Sequence, residues 1–337
     1  MENRFSHFTR RMSTQVGDSN CFYMAMNHTA DLSAVSLFDG SIKIISNMGG
    51  DIMFDIKDAQ METPISSLSW KPIKEDSFNR QKLLGACLDG SIVRWTPEMG
   101  NSIEHVSLNE ENSYHAVDYS EDLRRFCVAG SEPYIEIYDE ARMQRVQQIG
   151  HRLLKPAHTN KIFTCKFNPH NSNMLYSGGW DRLVRFWDIR ANHPNDMMTG
   201  CIGGKVSISG DSVDICHNNQ YIVTGGGTLG EGVQLWDFRD LENPVVKYNW
   251  DTADSGETLN PVVNSCKFLN KQNLILVGCS DEYVSAKCFD RDSGHVIEEF
   301  PHVKGNCFSL DVASDGTFCA FGDADGTIHY EGINYAN

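Results

Sequence analysis

The sequence predicts an all-β chain of seven similar units closed into a ring, and three observations predict it. Turn landmarks recur at Asp39, Asp89, Ser131, Asp181, Glu231, Asp281 and Asp325, 42 to 50 residues apart, and a fixed period of this size marks a repeat architecture. Each landmark is flanked by short apolar runs bounded by Gly, Asp, Asn or Ser, the pattern of strands joined by tight turns. The ends of the chain are complementary: six units show a fourth strand-like run, the seventh lacks one, and residues 5–16 stand unclaimed before the first unit.

Unit one spans 21–56 and ends in DIMFDI; unit two spans 64–108, with ISSLSWKP and KLLGACLDG as its first strand pair and IEHVSL as its last run. Unit three, 113–149, runs from YHAVDYS through RRFCVAGS to MQRVQQI. Unit four, 158–202, holds IFTCKFNP and NMLYSGG, then a second hairpin strand, then a poorly defined fourth run near Met197–Ile202. In that hairpin Leu183, Arg185 and Trp187 alternate with Val184, Phe186 and Asp188, which predicts a half-buried strand. Unit five, 206–250, carries the insert GGGTLGEG and ends in VVKYNW; unit six, 261–300, ends in HVIEEF. Unit seven, 305–333, has only three strands, and residues 5–16 are expected to supply its fourth. That exchange ties the first unit to the last and leaves only short protected edges.

Unit four contains a set of side chains that can satisfy one another: His158, Ser177, Asp181 and Trp187. A buried indole N–H needs an acceptor, a serine hydroxyl accepts and donates, a neutral imidazole does both, and a carboxylate ends the chain. At these spacings the four residues resemble the hydrogen-bonded clasp of a WD-repeat β-propeller blade, closed by the Trp187-Asp188 dipeptide. The resemblance covers the whole chain, most closely units four and five, where Thr224 and Trp236-Asp237 stand at matching places. It implies a seven-bladed WD-repeat β-propeller whose last blade is completed by the N-terminal strand. The Trp is replaced at or near its place by Ile45, Ile137, Phe289 and Glu331 in units one, three, six and seven.

Bulk properties narrow the function. A formal charge of −16 opposes nucleic acid and anionic membrane surfaces as partners, since both need a positive field. The start MENRFSHFTRRMS has no apolar core of a signal peptide, and no later run is long enough to span a bilayer. The eleven cysteines include no C-x-x-C pair and no zinc spacing, so they read as reduced, buried thiols of a cytoplasmic protein, with the nucleus and cytoskeleton also compatible. Neither a metal nor another cofactor is expected. The Asn27-His28-Thr29 sequon then has no secretory role.

A hydrolase triad is an alternative for His158, Ser177 and Asp181, but the spacing fits a structural clasp. The histidines at 28, 105, 115, 151, 217, 295, 302 and 329 are scattered over the units, and most read as surface or turn residues. The glycines at 225–227 and 230 lack a following Lys-Ser/Thr and precede a strand, so they read as a long turn, not a phosphate loop. No convergent polar set on the first strands is evident, which disfavours a channel enzyme or small-ligand site.

The resemblance implies that one face of the disc, carrying the turns within the central hairpins and the loops between units, docks partner proteins. On it the sequence places Trp180, Glu132, Glu231, Asp281, Glu282 and Asp323, with Glu62, Asp325 and the acidic loop 251–258 nearby. Trp180 stands out because it occupies a turn, and exposed aromatics are favoured interface anchors. A second reading comes from Trp187-Asp188-Ile189-Arg190 and Trp236-Asp237-Phe238-Arg239, which resemble the W-D-x-R end of the box in substrate receptors of cullin-RING ubiquitin ligases. There Trp187, Asp188, Arg190, Trp236, Asp237 and Arg239 would meet the damaged-DNA-binding adaptor; the plain alternative is that each Arg pairs with a nearby carboxylate. Two basic stretches, Lys71–Lys82 and Arg142–His158, read as solvated loops and an outer strand. The function expected is that of a non-catalytic scaffold binding other proteins in a multiprotein assembly.

Overall fold

The computed structural model describes residues 7–57, 63–73, 81–150, 156–191, 194–204, 206–250, 260–269, 271–281 and 284–334. Their strands form seven four-stranded antiparallel sheets, and each sheet is one blade of a β-propeller. Six blades take their strands in chain order. The seventh pairs Ser309–Val312, Phe318–Gly322 and Thr327–Ile333 with the N-terminal strand Phe8–Gln15, so the ring closes by the predicted exchange. Phe8 opposes Ile333 and Gln15 opposes Thr327 across that pairing.

Closure is fixed by both packing and polar contacts. The Phe8 ring meets Phe300 of blade six edge-on at 5.1 Å. Ser13 of the N-terminal strand bonds His329 Nδ1 at 3.0 Å, and His329 Nε2 reaches the Asp323 carboxylate at 2.8 Å. His329 is therefore a buried latch residue and not the surface histidine expected from sequence. His302 Nε2 lies 2.8 Å from a carboxylate oxygen of the buried Glu331, which stands in the Trp place of blade seven.

The core lies between the blades. Seven hydrophobic clusters occupy the described interior, one at each junction of neighbouring blades. At the junction of blades one and two, for instance, Ala25, Ile44 and Ile56 pack on Leu68, Trp70 and Trp95. Each central strand thus has a neighbour on both faces, and this corrects the half-buried strand predicted at 183–188. Val184, Arg185, Phe186 and Trp187 are all buried, because a sheet sandwiched between two others has no solvent face. The fourth strand of that blade is Met198–Gly203, and the central strand of blade five, Val233–Asp237, follows the glycine-rich turn.

Candidate partner-docking site

The blade-four clasp is present atom by atom. Trp187 Nε1 donates to Ser177 Oγ at 2.8 Å, Ser177 Oγ lies 2.7 Å from His158 Nε2, and His158 Nδ1 lies 2.9 Å from Asp181 Oδ2. An indole nitrogen only donates, so the serine oxygen accepts from it and its single proton goes to Nε2. His158 is then neutral with its proton on Nδ1, aimed at Asp181. Burial lowers the His158 pKa, against the pull of Asp181. Burial pushes the Asp181 carboxyl up, but the bonds from His158 and the Thr159 N–H outweigh it and leave it below the usual range. The four groups use up one another's polar capacity, as a structural clasp requires and a nucleophile would not.

What the clasp positions is the turn that carries Trp180. Gly179 must be glycine, since a Cβ there would collide with the Lys161 carbonyl, and the same carbonyl accepts the Trp180 N–H at 3.0 Å. The indole is held outside the core, 47% exposed. Its ring lies 5.1 Å from Phe163, which stacks at 4.5 Å and 9° on His115 of blade three, while the Lys161 ammonium stands 5.5 Å from the indole centroid. Burial beside Lys161 lowers the His115 pKa to about 4, so the imidazole stacks as a neutral ring. His115 and Phe163 can do this because each sits at a register slip in its inner strand, and a bulge re-aims the extra side chain. The site is a preformed aromatic step on the upper face, where the hairpin turns and the loops between blades meet.

The acidic residues expected around it divide. Asp323 is buried and is consumed by His329 and by the backbone of its own turn. Glu231 accepts from Ser207 through its N–H and hydroxyl and meets Arg182 at 3.3 Å, tying blade five to the loop before it. These two carboxylates serve the fold and are withdrawn as partner contacts. Glu132 and Asp281 are half-buried at the upper face; the Glu132 N–H donates to Asn112, and Asp281 caps the Val284 N–H at 3.0 Å. Glu282, Glu62 and the loop 251–258 lie outside the described residues. So do His151, Arg152 and Lys155, and much of the Lys71–Lys82 loop, whose two ends converge on Glu140.

The inner strands do carry a convergent polar set, contrary to the sequence reading. At one equivalent place per blade stand Asp118, Lys166, Asp214, Lys267 and Asp311, in blades three to seven. The carboxylates of Asp118, Asp214 and Asp311 accept the N–H of Phe167, Phe268 and Met26 in the next blade at 2.7 to 2.8 Å. Inner strands have one open edge, and these side chains satisfy it. Asp211 bonds both Lys166 and Lys267, and Tyr23 of blade one reaches across to it at 3.0 Å. This brace spans the channel. Burial raises the Asp211 carboxyl, but the two ammonium groups overcome that and hold it well below the carboxylate range. The signal was legible in principle, as a charged residue before the aromatic or aliphatic in VDY, CKF, VDI, CKF and LDV. Among the described residues no group of three or more His, Cys, Asp or Glu is arranged to hold a metal ion.

On the lower face the two W-D-x-R ends behave alike. Arg190 Nε and Nη2 grip Asp188 at 3.0 and 2.7 Å, and Arg239 Nε grips Asp237 at 2.9 Å. The guanidinium bonds lower the Asp188 carboxyl and take Asp237 down to about 2. Both arginines remain largely exposed, at 63% and 78% for their side chains. Trp187 and Trp236 do not join them as contact residues: both are buried, with Trp236 Nε1 donating to Thr224 at 2.9 Å. The sequence could not separate these roles, because one dipeptide sends its indole into the core and its carboxylate to the arginine two residues on.

Comparison with known proteins follows the same lines. Residues 150–188 match the family described as WD domain, G-beta repeat. A serine-threonine kinase receptor-associated protein of Dictyostelium discoideum is 27% identical over 73% of this chain and 74% of its own length. WD repeat-containing protein 82 of Drosophila melanogaster is 21% identical over 74% of each chain. A DDB1- and CUL4-associated factor 11 homolog of Caenorhabditis briggsae is 24% identical over 45% of this chain and 26% of its own.

Proposed function

We propose that the chain, a seven-bladed β-propeller that matches the WD repeat at residues 150–188, is a non-catalytic scaffold holding partner proteins in a multiprotein assembly in the cytoplasm. The observation that carries this reading is the Trp180 step. Its indole is half exposed yet already rests against Phe163, which is itself stacked on His115, so little side-chain freedom is lost when a partner covers it. The braced channel supports docking on a face over capture of a small solute inside. All eleven cysteines are free thiols and ten are buried, in keeping with a reducing compartment.

Affinity purification from native cells, with wild type and Trp180→Ala side by side, tests the proposal. A fixed set of partners in near-equal amounts, with one lost from the variant, is the expected result. No stoichiometric partner, or an unchanged set, would count against it. Cell fractionation tests the compartment, and recovery mainly with nuclei or the cytoskeleton would contradict the cytoplasmic assignment.

A second reading is favoured by one observation, the two exposed Asp–Arg pairs of blades four and five. In it the chain is a substrate receptor of a cullin-RING ligase, bound to its adaptor through Arg190 and Arg239. Arg190→Glu with Arg239→Glu would abolish adaptor recovery under this reading and leave every partner in place under the first.

A further inference from the structure

The geometry that presents Trp180 occurs twice. Phe38 precedes Asp39 in the hairpin turn of blade one as Trp180 precedes Asp181 in blade four, and it is 58% exposed. Its ring lies 5.9 Å from Phe22, and Phe22 lies 6.3 Å from Phe308 of blade seven. Phe22 sits at the same register slip as Phe163 and His115. In both stacks, then, an exposed turn aromatic rests on the bulged aromatic of its own blade, which rests on a ring from the blade before. Blades seven and one lie across the ring from blades three and four. We propose that the Phe22–Phe38–Phe308 stack is a second docking platform, and that the two platforms hold one extended basic segment of a partner protein by two apolar side chains.

Three features specify that occupant. An unsupported phenyl ring in a turn would gain nothing from exposure, whereas a preordered one offers apolar area at little entropic cost. Tyr23, the neighbour of Phe22, crosses the channel to Asp211, so a segment reaching both platforms meets that bridge and lies over the mouth. The charge beside the second platform is acidic. Asp18, Asp39 and Asp325 are exposed in the loops around it, against Lys57, which already meets Asp39, and Lys304. On a chain of net charge −16 such a rim attracts lysine and arginine and repels acidic segments.

The inference rests on the upper-face docking reading, and its test separates the two. A random peptide library displayed on phage is selected against the full chain, and enriched peptides are measured on wild type, Trp180→Ala, Phe38→Ala and Asp18→Lys with Asp325→Lys. Peptides with two separated apolar positions and an excess of Lys and Arg are expected. Each aromatic variant should weaken them roughly tenfold or more, and the charge variant should weaken them with a reduced salt dependence. Phe38 is exposed, so its removal should leave the melting temperature unchanged, and the same melts control the other variants. Loss in Trp180→Ala with full binding in Phe38→Ala would overturn the second platform and leave the first. Binding indifferent to both, or no enrichment, would overturn both. Enrichment of acidic peptides would overturn the stated partner chemistry.

Discussion

Ser177 is the hinge of the blade-four clasp, since its hydroxyl serves both Trp187 and His158. Ser177→Ala leaves a buried indole N–H and an imidazole nitrogen without partners, and stranding such groups costs about 1–3 kcal/mol. Urea unfolding should show that loss; a change within error would mean the clasp contributes nothing net. Trp180→Ala, three residues along the chain, should change stability little, because about half of the side chain is exposed. These roles were legible to different degrees. The clasp was legible through its resemblance to that of a WD-repeat blade, with side-chain hydrogen-bonding capacity giving the physical reason for it. Trp180 could be singled out by its place in a turn, but not its support by Phe163 and His115, because that support depends on a one-residue slip in two strands that no local pattern announces. Glu231 and Asp323 are indistinguishable in sequence from free surface carboxylates, because their partners, Ser207 in a loop and His329 on the last strand, are set beside them only by the fold.

At the scale of elements, the N-terminal strand is the one whose absence opens the ring. It is held by a single edge pairing, by Phe8 against Phe300 and by Ser13 on His329. Phe8→Ala should destabilise the protein by about 3–5 kcal/mol, the usual cost of truncating a buried phenylalanine. Amide exchange in Thr327–Ile333 should rise before that of any other central strand. Equal acceleration in all blades would show that closure is not the local weak point. Strand order, period and the exchange of the last strand could all be read from sequence, because each leaves a countable trace. Burial could not. Alternation predicted a wet face at 183–188, and blades packed on both sides removed it.

For the whole molecule, the channel is where charge and fold meet. Burial raises the Asp118 carboxyl to about 7, only partly offset by Lys166 and the Phe167 N–H, and Asp214 and Asp311 are raised for the same first reason. The folded state therefore holds a proton on Asp118 that the unfolded chain releases near pH 4. Between about pH 4 and 7 the native state binds more protons at this group, so its contribution to stability falls as pH rises. Asp118→Asn keeps an oxygen for the Phe167 N–H and removes the titration. Its stability relative to wild type should improve steadily from pH 4.5 to 7.5 in urea melts. A constant difference would mean that Asp118 is not shifted. The ring of charges escaped the sequence reading because its members lie about 50 residues apart, and only superposed blades bring them to one level.

The central claim is that partners dock on the upper face, over the aromatic steps. Hydrogen–deuterium exchange of the free protein against the purified native assembly tests it most directly. The account predicts new protection at 159–164 and 179–183, with the lower-face segments 188–191 and 237–241 unchanged. Protection confined to the lower segments, with the Trp180 turn exchanging as freely as before, would contradict it.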